Sequence, residues 1–178
     1  MQLTETQIDS EVLFSGSFIH IHRDTVALPN QKHTQRVVVR HPGATCVLAE
    51  TADQRLVLVR QWRYAVGRAL LEVPAGKLEA GEDPAVCALR ELAEETPYTA
   101  SSVRLLHTFY TAPGFCDEKM YLYLAENVQP NSTLNTDEDE FTETVLLDKA
   151  AVQAALAADE IADAKTLIAL QYWLLHRA

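Results

Sequence analysis

Gly76 to Tyr98 of this chain read GKLEAGEDPAVCALRELAEETPY. Four carboxylates and one arginine stand at set offsets from the leading glycine: Gly76, Glu82, Arg90-Glu91 and Glu94-Glu95. Asp83-Pro84 is a helix start, with Asp as N-cap and Pro at the first helical position. Pro97 forbids continuation, so the helix ends near Glu95 or Thr96. Val86, Leu89 and Leu92/Ala93 form its expected apolar stripe. Glu91 and Glu95 lie four apart and share a face, and Glu94 is a neighbour of both. Like charges so spaced cost a bare helix a few tenths of a kcal/mol per pair, roughly. A hard divalent cation such as Mg2+ removes that penalty, and Mg2+ on few carboxylates completes its shell with phosphate oxygens and water. Just before the helix, Gly76 lets backbone approach closely, so the Ala75 carbonyl is a further candidate ligand. A solvated acidic helix face is the plainer alternative. The six-residue constellation arises by chance with probability on the order of 10⁻⁵, which favours the metal site.

Outward from this helix, short apolar runs read as strands. Ala44–Glu50 and Leu56–Arg60 flank a polar turn at Ala52-Asp53-Gln54, and Ala69–Val73 stops at Pro74. Ala75–Glu82 reads as a loop. Val103–Tyr110 and Lys119–Ala125 read as strands around Thr111–Glu118, and Thr142–Leu147 is a last strand. Lys149–Ala157 and Ala162–His176 read as helices. The latter carries apolar side chains broadly, on Leu167, Leu170 and Leu174 and also on Ile168, Tyr172 and Leu175. Ser17–Arg23, Thr25–Leu28 and Thr34–Arg40 read as amino-terminal strands, with a hairpin turn at Pro29-Asn30-Gln31-Lys32. The expectation is an α/β fold, a mixed sheet covered by helices on both faces with an amino-terminal antiparallel β subdomain. His41-Pro42-Gly43 punctuates the chain, giving a division into residues 1–40 and 41–178.

The chain has 178 residues, 48% of them apolar, and a net charge of −10. That suits one ordinary globular domain and argues against general nucleic-acid binding, since no basic run offers a phosphate track. Cys46, Cys87 and Cys116 are widely spaced, with no CxxC or Cys/His cluster, so neither zinc nor a disulfide framework is expected. His20, His22, His33 and His41 repeat no ligand spacing. No basic-then-apolar leader and no run of about 18 apolar residues are present, so no membrane span is expected and the cytoplasm is the default compartment.

The constellation resembles the Nudix box, G-x5-E-x7-R-E-U-x-E-E-x-G-U with U a bulky apolar residue. Here Pro97 replaces the second glycine and Tyr98 takes the last apolar place. Leu58-Val59-Arg60-Gln61-Trp62-Arg63-Tyr64, Leu71-Glu72-Val73-Pro74-Ala75-Gly76, Pro113-Gly114-Phe115 and Asp163-Ala164-Lys165-Thr166 resemble the ADP-ribose pyrophosphatase branch. The resemblance implies a Nudix-type fold and Mg2+-dependent (or Mn2+-dependent) hydrolysis of the pyrophosphate bond of ADP-ribose, to AMP and ribose 5-phosphate. GDP-mannose or another nucleoside diphosphate sugar is the alternative, and a non-catalytic ligand sensor a further one. It also implies metal ligands at Glu91, Glu94, Glu95 and the Ala75 carbonyl, with Glu82 and Arg90 bracing loop and helix.

A further carboxylate must position or deprotonate the attacking water. The acidic loop Asp137-Glu138-Asp139-Glu140 is the expected source, Glu140 first and Glu138 second. Arg36 and Arg63 are candidates for phosphate or ribose, because Arg suits forked anion recognition. Phe18 is a candidate for stacking on adenine, with packing as its alternative, and Pro113 marks the substrate-side loop. The branch further implies a homodimer in which the amino-terminal strands shape the partner's site.

Overall fold

The computed structural model describes residues 2–130 and 141–176. Two compact units emerge: residues 1–43 with 110–119, and residues 44–109 with 120–178. The segment 110–119 thus joins the amino-terminal unit.

In the first unit, β1 (Thr6–Ser15), β2 (His20–Ala27) and β3 (His33–Arg40) form an antiparallel sheet in that order. The expected hairpin turn is present: Leu28 and Lys32 close it, and Gln31 adopts φ 66°. Two expectations are corrected. Ser17–Arg23 and Thr25–Leu28 are one strand rather than two, continuous because Asp24 is buried and held by Ser10 Oγ and by Arg40. Thr6–Ser15, unassigned from sequence, is a strand of 10 residues. All of them are exposed, so no buried face stamps a pattern on the sequence.

The second unit is built on β4 (Ala44–Thr51), β5 (Leu56–Arg63), β6 (Arg68–Glu72), β7 (Ala75–Lys77), β8 (Tyr98–Thr99), β9 (Arg104–Tyr110), β10 (Lys119–Pro130) and β11 (Thr142–Leu147). Its backbone order is β11-β5-β4-β10-β8, with β6 on β5, β7 on β4 and β9 on β10. β4 and β10 are parallel, and β4 with β5, β5 with β6 and β5 with β11 are antiparallel, so the sheet is mixed as expected. Helix α1 (Pro84–Glu95) covers one face through Ala88 and Leu92 against Val47, Ala49, Val57 and Ala125. Helices α2 (Lys149–Ala157) and α3 (Ala164–His176) cover the other, with Val152, Ala169, Leu170 and Trp173 against Cys46, Leu48, Leu58 and Leu122. Helices on both faces explain why every residue of β4 is buried.

The apolar stripe expected on α1 is corrected. Its buried residues are Cys87, Ala88, Glu91, Leu92 and Glu95, whereas Val86 is 56% exposed. The helix is turned so that two glutamates face inward, and a pattern reading that places carboxylates outside cannot anticipate this. The broad stripe on the final helix is largely present: Lys165, Thr166, Ala169, Leu170 and Trp173 are buried, Leu167, Ile168, Tyr172 and Leu174 pack partly buried against the same core, and only Leu175 of those expected lies in the open.

Candidate active site

Helix α1 begins as the sequence dictates: Asp83 Oδ1 accepts the Ala85 amide at 2.8 Å, with Pro84 next. Pro97 in place of glycine still ends it cleanly. Thr96 is extended, its hydroxyl donates to Leu92 O at 2.6 Å, and the Thr142 hydroxyl donates to Glu95 O at 3.1 Å. The terminal carbonyls thus find partners without a left-handed residue. The chain then enters β8, which pairs with β10.

The expected loop at Ala75 holds a short strand instead, a further correction of local structure. Ala44, Thr45 and Cys46 pair with Lys77, Gly76 and Ala75, and the Val47 amide donates to Pro74 O at 2.9 Å. Three residues containing a glycine leave no periodicity to read. This pairing pins the Ala75-Gly76 backbone beside α1. Glu95 Oε2 accepts the Ala75 amide at 2.9 Å, and a Cβ added to Gly76 would lie 2.0 Å from Glu91 Oε1. Backbone and carboxylates are therefore in direct contact, with Glu91 7% and Glu95 3% exposed.

Arg90 organises the remaining charge. Its Nε and Nη2 donate to the two oxygens of Glu82 at 2.9 and 3.0 Å. Its Nη1 donates to Glu91 Oε1 at 2.7 Å and Glu94 Oε2 at 2.8 Å. Hydrogen bonding to Arg90 holds the Glu82 carboxyl down at about 2, against an ordinary 4.5. Burial pushes the nearby Cys87 thiol up to about 11, so it stays a neutral neighbour of Arg90. Among the described residues no three acidic, His or Cys side chains are already gathered as a metal cage. Glu91 and Glu94 lie on Arg90, and Glu95 on a backbone amide.

The depressed Glu82 carboxyl has a consequence for stability. A folded value below the unfolded one contributes stability that is complete above about 4.5 and is lost as pH falls toward about 2. Glu82→Gln is therefore expected to lower Tm at pH 7 by roughly 3–6 °C, after allowance for solvent screening. The gap to the parent protein should close across that acidic window. Melting curves from pH 7 to pH 2 check this, and a gap constant with pH would refute it.

A second charged group gathers around Glu72, three residues before Ala75. Arg63 Nε and Nη2 donate to Glu72 Oε1 and Oε2, each at 2.7 Å. Lys165 Nζ also binds Glu72 Oε2 and stands 3.2 Å from Asp163 Oδ1. Thr166 Oγ1 accepts the Val73 amide at 2.9 Å and donates to Asp163 Oδ2 at 2.6 Å. Burial pushes the Glu72 carboxyl up, but Arg63 and Lys165 together bring it below the ordinary value. The bond to Glu72, with further help from Glu95 and Asp163, raises the Arg63 guanidinium. Glu72 and Lys165 received no role from sequence, although a glutamate inside an apolar strand was a usable signal.

Three other candidates lie in the first unit. Arg36 forms a forked pair with Glu5 at 2.7 and 3.1 Å, and Phe18 meets His41 edge-on with ring centroids 5.7 Å apart. Pro113 is exposed on the segment whose Asp117 takes the His41 amide and Arg40. Glu138 and Glu140 lie outside the described residues.

The NUDIX domain model matches residues 39–170. The chain belongs to the Nudix family. It is 42% identical to the ADP-ribose pyrophosphatase of Bacillus subtilis (strain 168), over 99% of this chain and 96% of that protein. It is equally similar, at 42%, to a methanol dehydrogenase activator of Bacillus methanolicus, over 98% of this chain and 95% of that one. The GDP-mannose pyrophosphatase of Escherichia coli (strain K12) is 32% identical, over 94% of this chain and 93% of its own. A crystal structure of an ADP compounds hydrolase superposes with TM-score 0.81 at 22% identity, covering 100% of this chain and 98% of that one, a likeness of fold. Nudix hydrolases generally use divalent metals. The residues here fit one: two buried carboxylates meet a backbone that leaves no room for a Cβ at Gly76. Among the described residues no helix is long and apolar enough to cross a membrane.

Proposed function

We propose that this Nudix hydrolase cleaves the pyrophosphate bond of ADP-ribose to AMP and ribose 5-phosphate with Mg2+, Mn2+ being able to substitute. The observation that carries the substrate is the 42% identity to an ADP-ribose pyrophosphatase over almost the whole of both chains. The second reading, GDP-mannose, is favoured by the 32% likeness to a GDP-mannose pyrophosphatase. A sensor without hydrolysis would have no need of so dense a carboxylate set. Phosphatase-coupled phosphate release from a panel of nucleoside diphosphate sugars decides among these. ADP-ribose is expected to show a kcat/KM at least about tenfold above GDP-mannose. The reverse order would replace the substrate, and no turnover on any member would sink the enzymatic reading.

Glu91, Glu94, Glu95 and the Ala75 carbonyl are assigned as the metal ligands. A bound ion neutralises the pyrophosphate and lowers the pKa of a water. Arg90 holds Glu91 and Glu94 on one guanidinium nitrogen, and the β7 pairing with the Glu95 bond to the Ala75 amide holds the Ala75 backbone beside α1. Arg63 and Arg36 are assigned to the anionic part of the substrate, Phe18 to its base, and Pro113 to the wall of the substrate loop.

The proton-accepting carboxylate is assigned to Glu140, with Glu138 second. Glu140→Gln is then expected to lower kcat by about 100-fold or more at nearly unchanged KM, while Glu138→Gln stays close to the parent. If both variants and the double variant turn over within about threefold of it, the base is elsewhere, Glu118 being the next candidate.

The working form is proposed to be a cytoplasmic homodimer joined through residues 1–40. β1 is an edge strand of 10 exposed residues, and Ile8, Val12 and Phe14 are each more than half exposed. Long exposed edges with apolar side chains are ready templates for pairing with another chain. The opposite edge is already occupied in part, since Val39 bridges to Cys116. Ile8→Lys combined with Val12→Lys is expected to halve the mass seen by light scattering and to abolish activity. An unchanged, active dimer would refute this interface.

A further inference from the structure

Glu72 is 1% exposed and is shared by two cations of unequal accessibility. Arg63 grips both of its oxygens, and Lys165 holds Oε2 from the other side. The Arg63 side chain is 39% exposed, that of Lys165 only 10%. Asp163, 3.2 Å from Lys165 Nζ, brings the four charges to zero. A buried carboxylate stripped of its partner is strongly disfavoured. With Lys165 present, Glu72 keeps a cation when Arg63 departs; without Lys165, it has Arg63 alone. The backbone beside this group is held without Arg63, because Thr166 binds the Val73 amide and Asp163 binds Thr166. Arg63 can therefore turn away while the Ala75 segment stays in place.

We infer that Lys165 is a positioning residue that takes over the charge of Glu72 when the Arg63 guanidinium swings from Glu72 onto the diphosphate of the substrate. The inference rests on the assignment of Arg63 to the anionic part of the substrate. Glu72 is then the resting partner of Arg63, holding it by both oxygens until an anion competes. Lys165 sets how readily Arg63 is released, without touching the substrate.

The test uses the full chain with ADP-ribose and Mg2+, measuring kcat and KM for Arg63→Ala, Lys165→Met, Glu72→Gln and the double variant Glu72→Gln/Lys165→Met. Melting without substrate establishes that each is folded. Lys165→Met is expected to raise KM about tenfold with kcat within about threefold, because Glu72 now retains Arg63. In the double variant Arg63 has lost its two-oxygen partner, and Asp163, which makes no hydrogen bond to it, acts on it only through its charge, so KM should return to within about threefold of Glu72→Gln alone. A merely structural lysine would show no such rescue. An unchanged KM in folded Lys165→Met, or an equal rise in the double variant, overturns the role of Lys165 while that of Arg63 stands. An unchanged KM in Arg63→Ala overturns the Arg63 assignment and this inference with it. Should Lys165→Met not fold, Glu72→Gln alone decides: its KM is expected to fall about threefold, and an unchanged or raised KM overturns the inference.

Discussion

Glu91→Gln and Glu95→Gln are each expected to lower kcat by at least about 100-fold while the protein stays folded. Either exchange removes one negative charge and keeps a side-chain carbonyl of nearly the same size. The glutamine at 95 can still accept the Ala75 amide that now lies 2.9 Å from Glu95 Oε2. The glutamine at 91 can still accept the Arg90 Nη1 that now lies 2.7 Å from Glu91 Oε1. Local hydrogen bonding is thus preserved, and the lost anionic oxygen is what activity reads. Because the two carboxylates serve one centre, the double variant should be scarcely worse than either single one. Near-parental kcat in either variant, with a melting curve showing it folded, would remove that residue from the proposed ligand set.

Gly76→Ala is expected to cost as much, again about 100-fold or more in kcat, from a change of one methyl group. Gly76 is not among the glycines with positive φ, so alanine meets no backbone objection there. The objection is space: the added Cβ would lie 2.0 Å from Glu91 Oε1, 2.1 Å from its Cδ and 2.3 Å from Oε2. All three belong to the end of one flexible side chain, so the fold can yield by turning the Glu91 carboxylate away. The melting temperature should fall only by a few degrees, roughly what 1–2 kcal/mol costs at this size. The diagnostic is non-additivity: Gly76→Ala combined with Glu91→Gln should be no slower than about threefold below either alone. Additive losses would mean that Gly76 acts through something other than Glu91.

Local chemistry set much of this before any tertiary contact. Asp83-Pro84 opens α1 and Pro97 closes it, because capping and the restrictions of proline act over a few residues. The buried strands β4 and β5 and the helix α2 stand where apolar runs and periodicity placed them, since burial on both faces leaves an uninterrupted apolar run. The offsets of Gly76, Glu82, Arg90, Glu91, Glu94 and Glu95 were enough for the family, because these side chains must meet within one helix and the loop before it.

What neighbours decide was not legible. β1 has no buried face, so nothing in its composition declares it a strand; pairing with β2 makes it one. The rotation of α1 that turns Glu91 and Glu95 inward, and leaves Val86 outside, goes with Ala88 and Leu92 on the sheet and Glu95 on the Ala75 amide, contacts that only the assembled fold supplies. Glu72 and Lys165 are 93 residues apart, and only the packing of α3 against the sheet brings their charges together. By itself, then, the sequence determined the caps, the buried strands and the carboxylate constellation, all governed by short-range sterics and periodicity. The tertiary structure alone decided which charges are buried and which cation each carboxylate holds, because desolvation and ion pairing depend on groups that meet only once the sheet and helices are assembled.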